Sequence, residues 1–269
     1  MKEAGASRIS DRHTELSEAT EEVKFMKSKK LKMAVAVISV IVLCGAIIFG
    51  LMFFNGISGI RLNPSYKEGQ IKVALVGDSV TYGHSIKNWP ENNYPALLSD
   101  ALGENYCVKS YGVSGSTVQP DGDQPYNITK AYTWSHDYQA DIIVLMLGSN
   151  DSKPENWKGE DVFKTEYLKL IDSYMSEENP PELILCTPPT AYFPEGVTEG
   201  LSNYDVQPLI IEDIAEIVKD VSAEKDLKLI DINTLTENRR DLFGKDNVHP
   251  DNDGAKLIAE TVYDFIINL

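Results

Sequence analysis

Five short apolar runs, separated by amphipathic stretches, recur from residue 70 to the end of the chain, and this alternation narrows the fold more than any other feature. The runs are 71–76 (IKVALV), 106–111 (YCVKSY), 142–147 (IIVLML), 182–186 (ELILC) and 228–232 (KLIDI). They are too short for helices and rich in β-branched residues, so they read as strands. The stretches 94–103, 161–176, 206–224 and 254–268 read as helices, and Asp251, Asn252 or Asp253 can cap the last of them. Strand and helix in alternation predict an α/β three-layer sandwich built on a parallel five-stranded sheet. The inner runs are nearly all apolar, as a sheet covered on both faces requires. The expected strand order is the flavodoxin-like 2-1-3-4-5, which binds ligands at the carboxyl ends of the strands.

Ahead of this domain, residues 33–54 (MAVAVISVIVLCGAIIFGLMFF) form 22 residues without a charge. A helix of roughly 20 apolar residues spans a bilayer core. A cleaved signal peptide would have a shorter apolar region, a shorter leader and a small-residue cleavage site, so the expectation is one uncleaved transmembrane anchor. Five lysines (Lys24, Lys27, Lys29, Lys30, Lys32) precede it closely, against Arg61 and Lys67 after it. The positive-inside rule then puts the N-terminus in the cytoplasm and the rest of the chain outside. The expected organisation is a disordered cytoplasmic tail (1–32), the anchor (33–54), a linker (55–69) and a globular domain (70–269).

Charge narrows the partners. Residues 33–269 hold 17 basic and 35 acidic side chains out of a chain total of 25 and 41. A domain this acidic lacks the basic face that a nucleic-acid partner needs. It is also repelled by an anionic membrane surface, which disfavours bilayer phospholipid as substrate. Of the three cysteines, Cys44 lies in the anchor, while Cys107 and Cys186 sit in strand-like runs as small core residues. No paired-cysteine site, HExxH or phosphate-cradling loop occurs, so no metal or cofactor is expected.

The chemistry collects at the strand tips. The first run ends in Gly77-Asp78-Ser79, within GDSVTYG. The second ends in YGVSGST, with Gly112 and Gly115, and the third in Gly148-Ser149-Asn150-Asp151. The loop after the fifth carries Asp246-Asn247-Val248-His249-Pro250. A serine hydroxyl attacks only when a base takes its proton. His249 is the candidate base, and Asp246, three residues earlier, can hold the imidazole. Acyl transfer also needs donors for a developing oxyanion, and the N–H groups of Ser79 and Gly115 with the Asn150 amide can supply them.

These blocks resemble the motif blocks of the SGNH hydrolases, also called the GDSL family. The likeness runs from about residue 70 to the C-terminus, with the blocks in the family's order. It implies Ser79 as nucleophile, Gly115 and Asn150 as oxyanion donors, and Asp246 and His249 as the other triad members. The extension GSNDSKPENW, with CTPP at 186–189, resembles a bacterial subgroup of carbohydrate esterases and acetylesterases. The resulting expectation is a membrane-anchored, extracytoplasmic serine esterase that removes O-acetyl groups from a carbohydrate. The alternatives are a lysophospholipase- or thioesterase-like lipid esterase or acyltransferase, and a silent carbohydrate-binding surface protein.

Other polar residues receive plainer readings. Asp78 is expected to stabilise a turn and Asp151 to accept structural hydrogen bonds. His84 is set aside because no carboxylate precedes it by three residues, and His136 is expected on a loop. Trp89, Trp134, Trp157, Tyr192 and Phe193 are candidates for a sugar-stacking platform or, equally, for covering the core edge. The loop from Tyr192 to Pro208 is expected to help shape the pocket.

Overall fold

A computed structural model describes residues 64–269. The expected tail (1–32), anchor (33–54) and most of the linker lie outside the described residues. Among the described residues, no helix is long and apolar enough to cross a membrane.

Five strands, β1 (Ile71–Gly77), β2 (Tyr106–Gly112), β3 (Ile142–Met146), β4 (Glu182–Cys186) and β5 (Lys228–Ile230), form one sheet in the order β2-β1-β3-β4-β5. Every pairing is parallel. Six helices matter here: α1 (Ser79–Tyr82), α2 (Tyr94–Leu102), α3 (Lys130–Tyr138), α4 (Glu160–Met175), α5 (Pro208–Lys225) and α6 (Asn252–Ile266). Because strand side chains alternate in direction, β1 feeds two cores. Ala74 and Val76 join Phe163, Tyr167, Ile214 and Val218 under α3, α4 and α5. Val73 and Leu75 join Leu98, Ile258 and Val262 under α2 and α6. The three-layer expectation and the strand order both hold.

Two expectations change. The run 228–232 stops as a strand at Ile230, because the Asp231 carboxylate accepts the N–H of Thr234 and starts a helical turn, Ile232–Thr236. The crossover from β2 to β3 is a helix, α3, whose core face is made by Ala131, Trp134, Ser135 and Tyr138. It starts because Thr129 Oγ1 accepts the Tyr132 N–H at 3.1 Å, and it fully buries only Ala131 and Ser135. His136 therefore sits on a helix rather than on a loop. The His136 ring stacks on Tyr174 at 4.2 Å, and its Nδ1 meets Glu177 Oε1 at 2.6 Å. Cys107 and Cys186 are buried and free, as expected.

Candidate active site

β1 ends at Gly77, and the chain turns at once into α1. Asp78 caps that helix, its carboxylate accepting the Val80 N–H at 2.9 Å. Ser79 is thus the first helical residue, and an N–H in the first turn has no partner inside its helix. The flanking glycines are steric necessities. A Cβ on Gly77 would lie 2.1 Å from Thr81 Oγ1 and 2.6 Å from the Met146 carbonyl oxygen. Gly83 ends α1 at φ +88, a left-handed conformation that glycine adopts without a Cβ clash. Gly112, the last residue of β2, leaves room for α1, since a Cβ there would lie 2.3 Å from Tyr82 N. The serine stands at the strand tip because α1 is wedged against both neighbouring strands.

The loop after β5 brings its histidine to this serine across 170 residues. His249 Nε2 lies 2.9 Å from Ser79 Oγ, and Nδ1 lies 3.0 Å from Asp246 Oδ2. An ionised carboxylate only accepts, so Nδ1 carries the ring proton and the Nε2 lone pair accepts from Ser79. Asp246 Oδ1 accepts the N–H groups of Val248 and His249 at 3.0 and 2.9 Å. Burial pushes the Asp246 carboxyl up, but the hydrogen bond from the His249 ring, these two N–H groups and the charge His249 carries when it is protonated outweigh it and hold it well below the usual range. Asn247 at φ +61 and the Gly244 N–H donating to the His249 carbonyl bend the loop inward.

Gly115, at φ +85, and Asn150 face the same cleft. Asn150 Nδ2 donates to the Ser116 carbonyl at 3.1 Å, which uses one of its two amide hydrogens. Asn156 Nδ2 holds the Asn150 carbonyl at 2.8 Å. Next to it, Asp151 is fully buried and accepts the Val118 and Gln119 N–H groups at 2.9–3.0 Å. It thereby ties the turn after β3 to the loop that carries Gly115. Burial pushes Asp151 up to about 7, against those two N–H bonds and with help from Asp78. Burial likewise pushes Asp78 up to about 6, against the Val80 N–H and the charge of His249. Both carboxylates behave as the structural acceptors expected of them.

The cleft over Ser79 encloses about 120 Å³. Its lining includes Gly115, Asn150, His249, Val206, Val248, His84 and Tyr204. Of these, His84 was not anticipated as a cleft residue. The His84 N–H donates to the Ser79 carbonyl at 2.9 Å once Gly83 reverses the chain, and its ring lies 4.5 Å from that of His249. The sole sequence signal for His84 is that it follows the glycine. Tyr204 comes from the loop expected to shape the pocket. None of Trp89, Trp134, Trp157, Tyr192 and Phe193 lines the cleft. Trp89 stacks on Tyr82, Trp157 packs against Phe163, and Tyr192 meets Phe243 edge-on. Among the described residues, no three His, Cys, Asp or Glu side chains are grouped to hold a metal ion.

A hydroxyl, an imidazole and a carboxylate joined in this way can move a proton off the hydroxyl as it attacks. Residues 75–257 match the model of the GDSL-like lipase/acylhydrolase family. An acetylxylan esterase of Xylanibacter ruminicola is 32% identical over 217 residues, covering 74% of this chain and 44% of its own. The chain thus spans less than half the length of that curated relative. Among solved structures, an aryl esterase of M. smegmatis aligns with TM-score 0.59 at 13% identity, over 74% of this chain and 99% of the other. A carbohydrate acetylesterase from Sinorhizobium meliloti aligns with TM-score 0.59 at 14% identity, over the same 74% and 99%. At these identities the two structures speak to the fold alone.

Proposed function

The chain belongs to the GDSL-like lipase/acylhydrolase family, and from that premise we propose that it is a membrane-anchored serine esterase removing O-acetyl groups from a carbohydrate outside the cytoplasm. One observation carries the catalytic part: the relay from Ser79 Oγ through His249 to Asp246, 2.9 and 3.0 Å long, beside Gly115 and Asn150. Ser79 Oγ attacks the ester carbonyl while His249 Nε2 takes its proton. The carbonyl oxygen becomes an oxyanion held by the Ser79 and Gly115 N–H groups and the Asn150 amide. The intermediate collapses, breaking the bond to the alcohol, and His249 returns the proton to the departing oxygen. Water, deprotonated by His249, then attacks the acyl-serine; the acyl–Oγ bond breaks, His249 returns the proton to Ser79 Oγ, and the acid leaves. Asp246 stays ionised and stabilises the imidazolium.

The cleft of about 120 Å³ favours a short acyl group, since clefts that enclose drug-sized ligands run to roughly 300–1,000 Å³. The relative named for acetylxylan supports an acetyl ester of a polysaccharide. The uncharged segment 33–54 and its lysine-rich flank support the anchor and its orientation.

The test is hydrolysis of p-nitrophenyl acetate, butyrate and octanoate by the full chain, with Ser79→Ala as control. Acetate turnover that vanishes in Ser79→Ala is the expected result. Preference for octanoate would move the substrate to lipids or thioesters, and no turnover of any ester would refute the esterase. Protease digestion of intact cells should cleave the domain; a domain protected until lysis would refute the orientation.

A further inference from the structure

We propose that Tyr204, with His84, forms the subsite for the leaving alcohol and selects a neutral sugar ring over a simple alkyl alcohol. The inference rests on the esterase reading above. His249 must hand its proton to the departing oxygen, so the alcohol passes beside Nε2. The oxyanion side of the cleft belongs to Gly115 and Asn150. The groups flanking the His249 ring are His84, at 4.5 Å, and Tyr204, at 5.2 Å and 77°. His84 Nε2 lies 3.3 Å from Tyr204 Oη, so the two rings form one wall.

Tyr204 is not spent on the core: it is 52% exposed beside the cleft. Its backbone is held where a bulky residue rarely goes. Tyr204 has φ +59 and Asp205 φ +58, two left-handed residues in succession and neither a glycine. The surroundings enforce that turn. Ser202 N–H donates to the Val206 carbonyl at 2.7 Å, closing the loop. Asn203 Nδ2 donates at 2.7 Å to the carbonyl of Asp246, the residue that holds His249. A strained turn fastened to the relay itself, presenting an aromatic ring to solvent, is one the core does not require.

The chemistry of the wall names the alcohol. A phenol ring offers a face to the C–H surface of a sugar and an Oη to its hydroxyls. Lys153 at the rim is paired with Asp123 at 3.1 Å, and the chain's net charge is −16. An acidic protein whose cleft, among the described residues, holds no unpaired lysine or arginine repels an anionic alcohol and accepts a neutral one.

The experiment measures kcat/KM of the full chain for an O-acetylated xylose oligomer and for ethyl acetate, which share the acyl group and differ in the alcohol. Wild type is expected to prefer the sugar ester at least tenfold. Tyr204→Ala should cut that ratio at least tenfold, mainly through KM for the sugar ester. Tyr204→Phe keeps the ring and should keep most of the ratio. An unchanged ratio in Tyr204→Ala overturns the subsite even if both rates fall, because the ring then only braces His249. A wild type active on ethyl acetate without preference for the sugar ester overturns it too. A wild type inert on both esters, and so indistinguishable from Ser79→Ala, instead overturns the esterase reading on which the subsite stands.

Discussion

Two buried carboxylates beneath the cleft should make this fold less stable at pH 8 than at pH 5. Burial raises Asp151 from 3.8 to about 7 and Asp78 from 3.8 to about 6. Between those values the folded chain holds protons that the unfolded chain has released. Stability therefore falls as pH rises through the window. The contribution is fully present below about pH 4 and is lost once pH passes about 7. At about 1.4 kcal/mol per pH unit, Asp151 alone accounts for about 3 kcal/mol between pH 5 and its folded value of about 7. The two do not simply add, because the Asp78 charge is itself one of the causes that raise Asp151. A chain of this size shifts its melting temperature by roughly 2–4 °C per kcal/mol, so the fall should be on the order of 10 °C. Asp246 runs the other way, but its contribution is lost only in acid below the usual carboxylate range, outside this window. His84, lowered by burial and by the His249 charge, opposes the trend only below its ordinary 6.5. Calorimetric melts of the full chain at pH 5, 6, 7 and 8 provide the assay, with Asp151→Asn alongside. Asparagine keeps an oxygen for Val118 and Gln119 but cannot ionise, so most of the slope should disappear. A wild-type melting temperature that is flat or rises from pH 5 to 8, or an Asp151→Asn slope equal to wild type, would refute the reasoning.

Other outcomes follow from the same geometry. Asn150→Ala should lower kcat by roughly 100- to 1000-fold with little change in KM, and a wild-type rate in steady-state kinetics would remove Asn150 from the oxyanion hole. Ser79→Ala and His249→Ala should each cost more, and the double variant should be no slower than the worse single one. Additive losses would mean that the two residues do not act as one relay. Gly112→Ala places a Cβ 2.3 Å from the Tyr82 backbone nitrogen, where no side chain can yield. It should destabilise by about 1–3 kcal/mol or more in urea unfolding and reduce activity by displacing α1. Stability within about 0.5 kcal/mol of wild type would show that α1 can move away at little cost.

Much of the fold was legible because its signals are local. β4 lies where its apolar run predicted it, and α2 and α4 differ from expectation by a residue at their ends. α3 is hard to read from the sequence because its inward face, Ala131, Trp134, Ser135 and Tyr138, mixes small, polar and aromatic residues with no aliphatic run, and its start depends on the Tyr132 N–H donating to Thr129 Oγ1. β5 was overextended because Leu229-Ile230-Asp231-Ile232 alternates like a strand, while the Asp231 cap turns the chain into a helix. The aromatic residues misled for a related reason. Trp89 and Tyr192 read the same whether they face a ligand or pack on Tyr82 and Phe243.

The sequence by itself determined the α/β class, the parallel sheet and the chemistry gathered at its carboxyl edge. Those follow from periodicity and from residue types that have few other uses at strand tips. It also named Ser79, Gly115, Asn150, Asp246 and His249, because each stands in a short block whose neighbours are read together with it. Only the tertiary structure decided that His84 and Tyr204 flank the His249 ring. Tyr204 arrives there through a left-handed turn tied to Asp246, and His84 through a reversal at Gly83. Neither depends on a periodic pattern. Each depends on which backbone groups meet after folding, and contacts between residues as distant as 84 and 204 exist only once the sheet has brought the loops together.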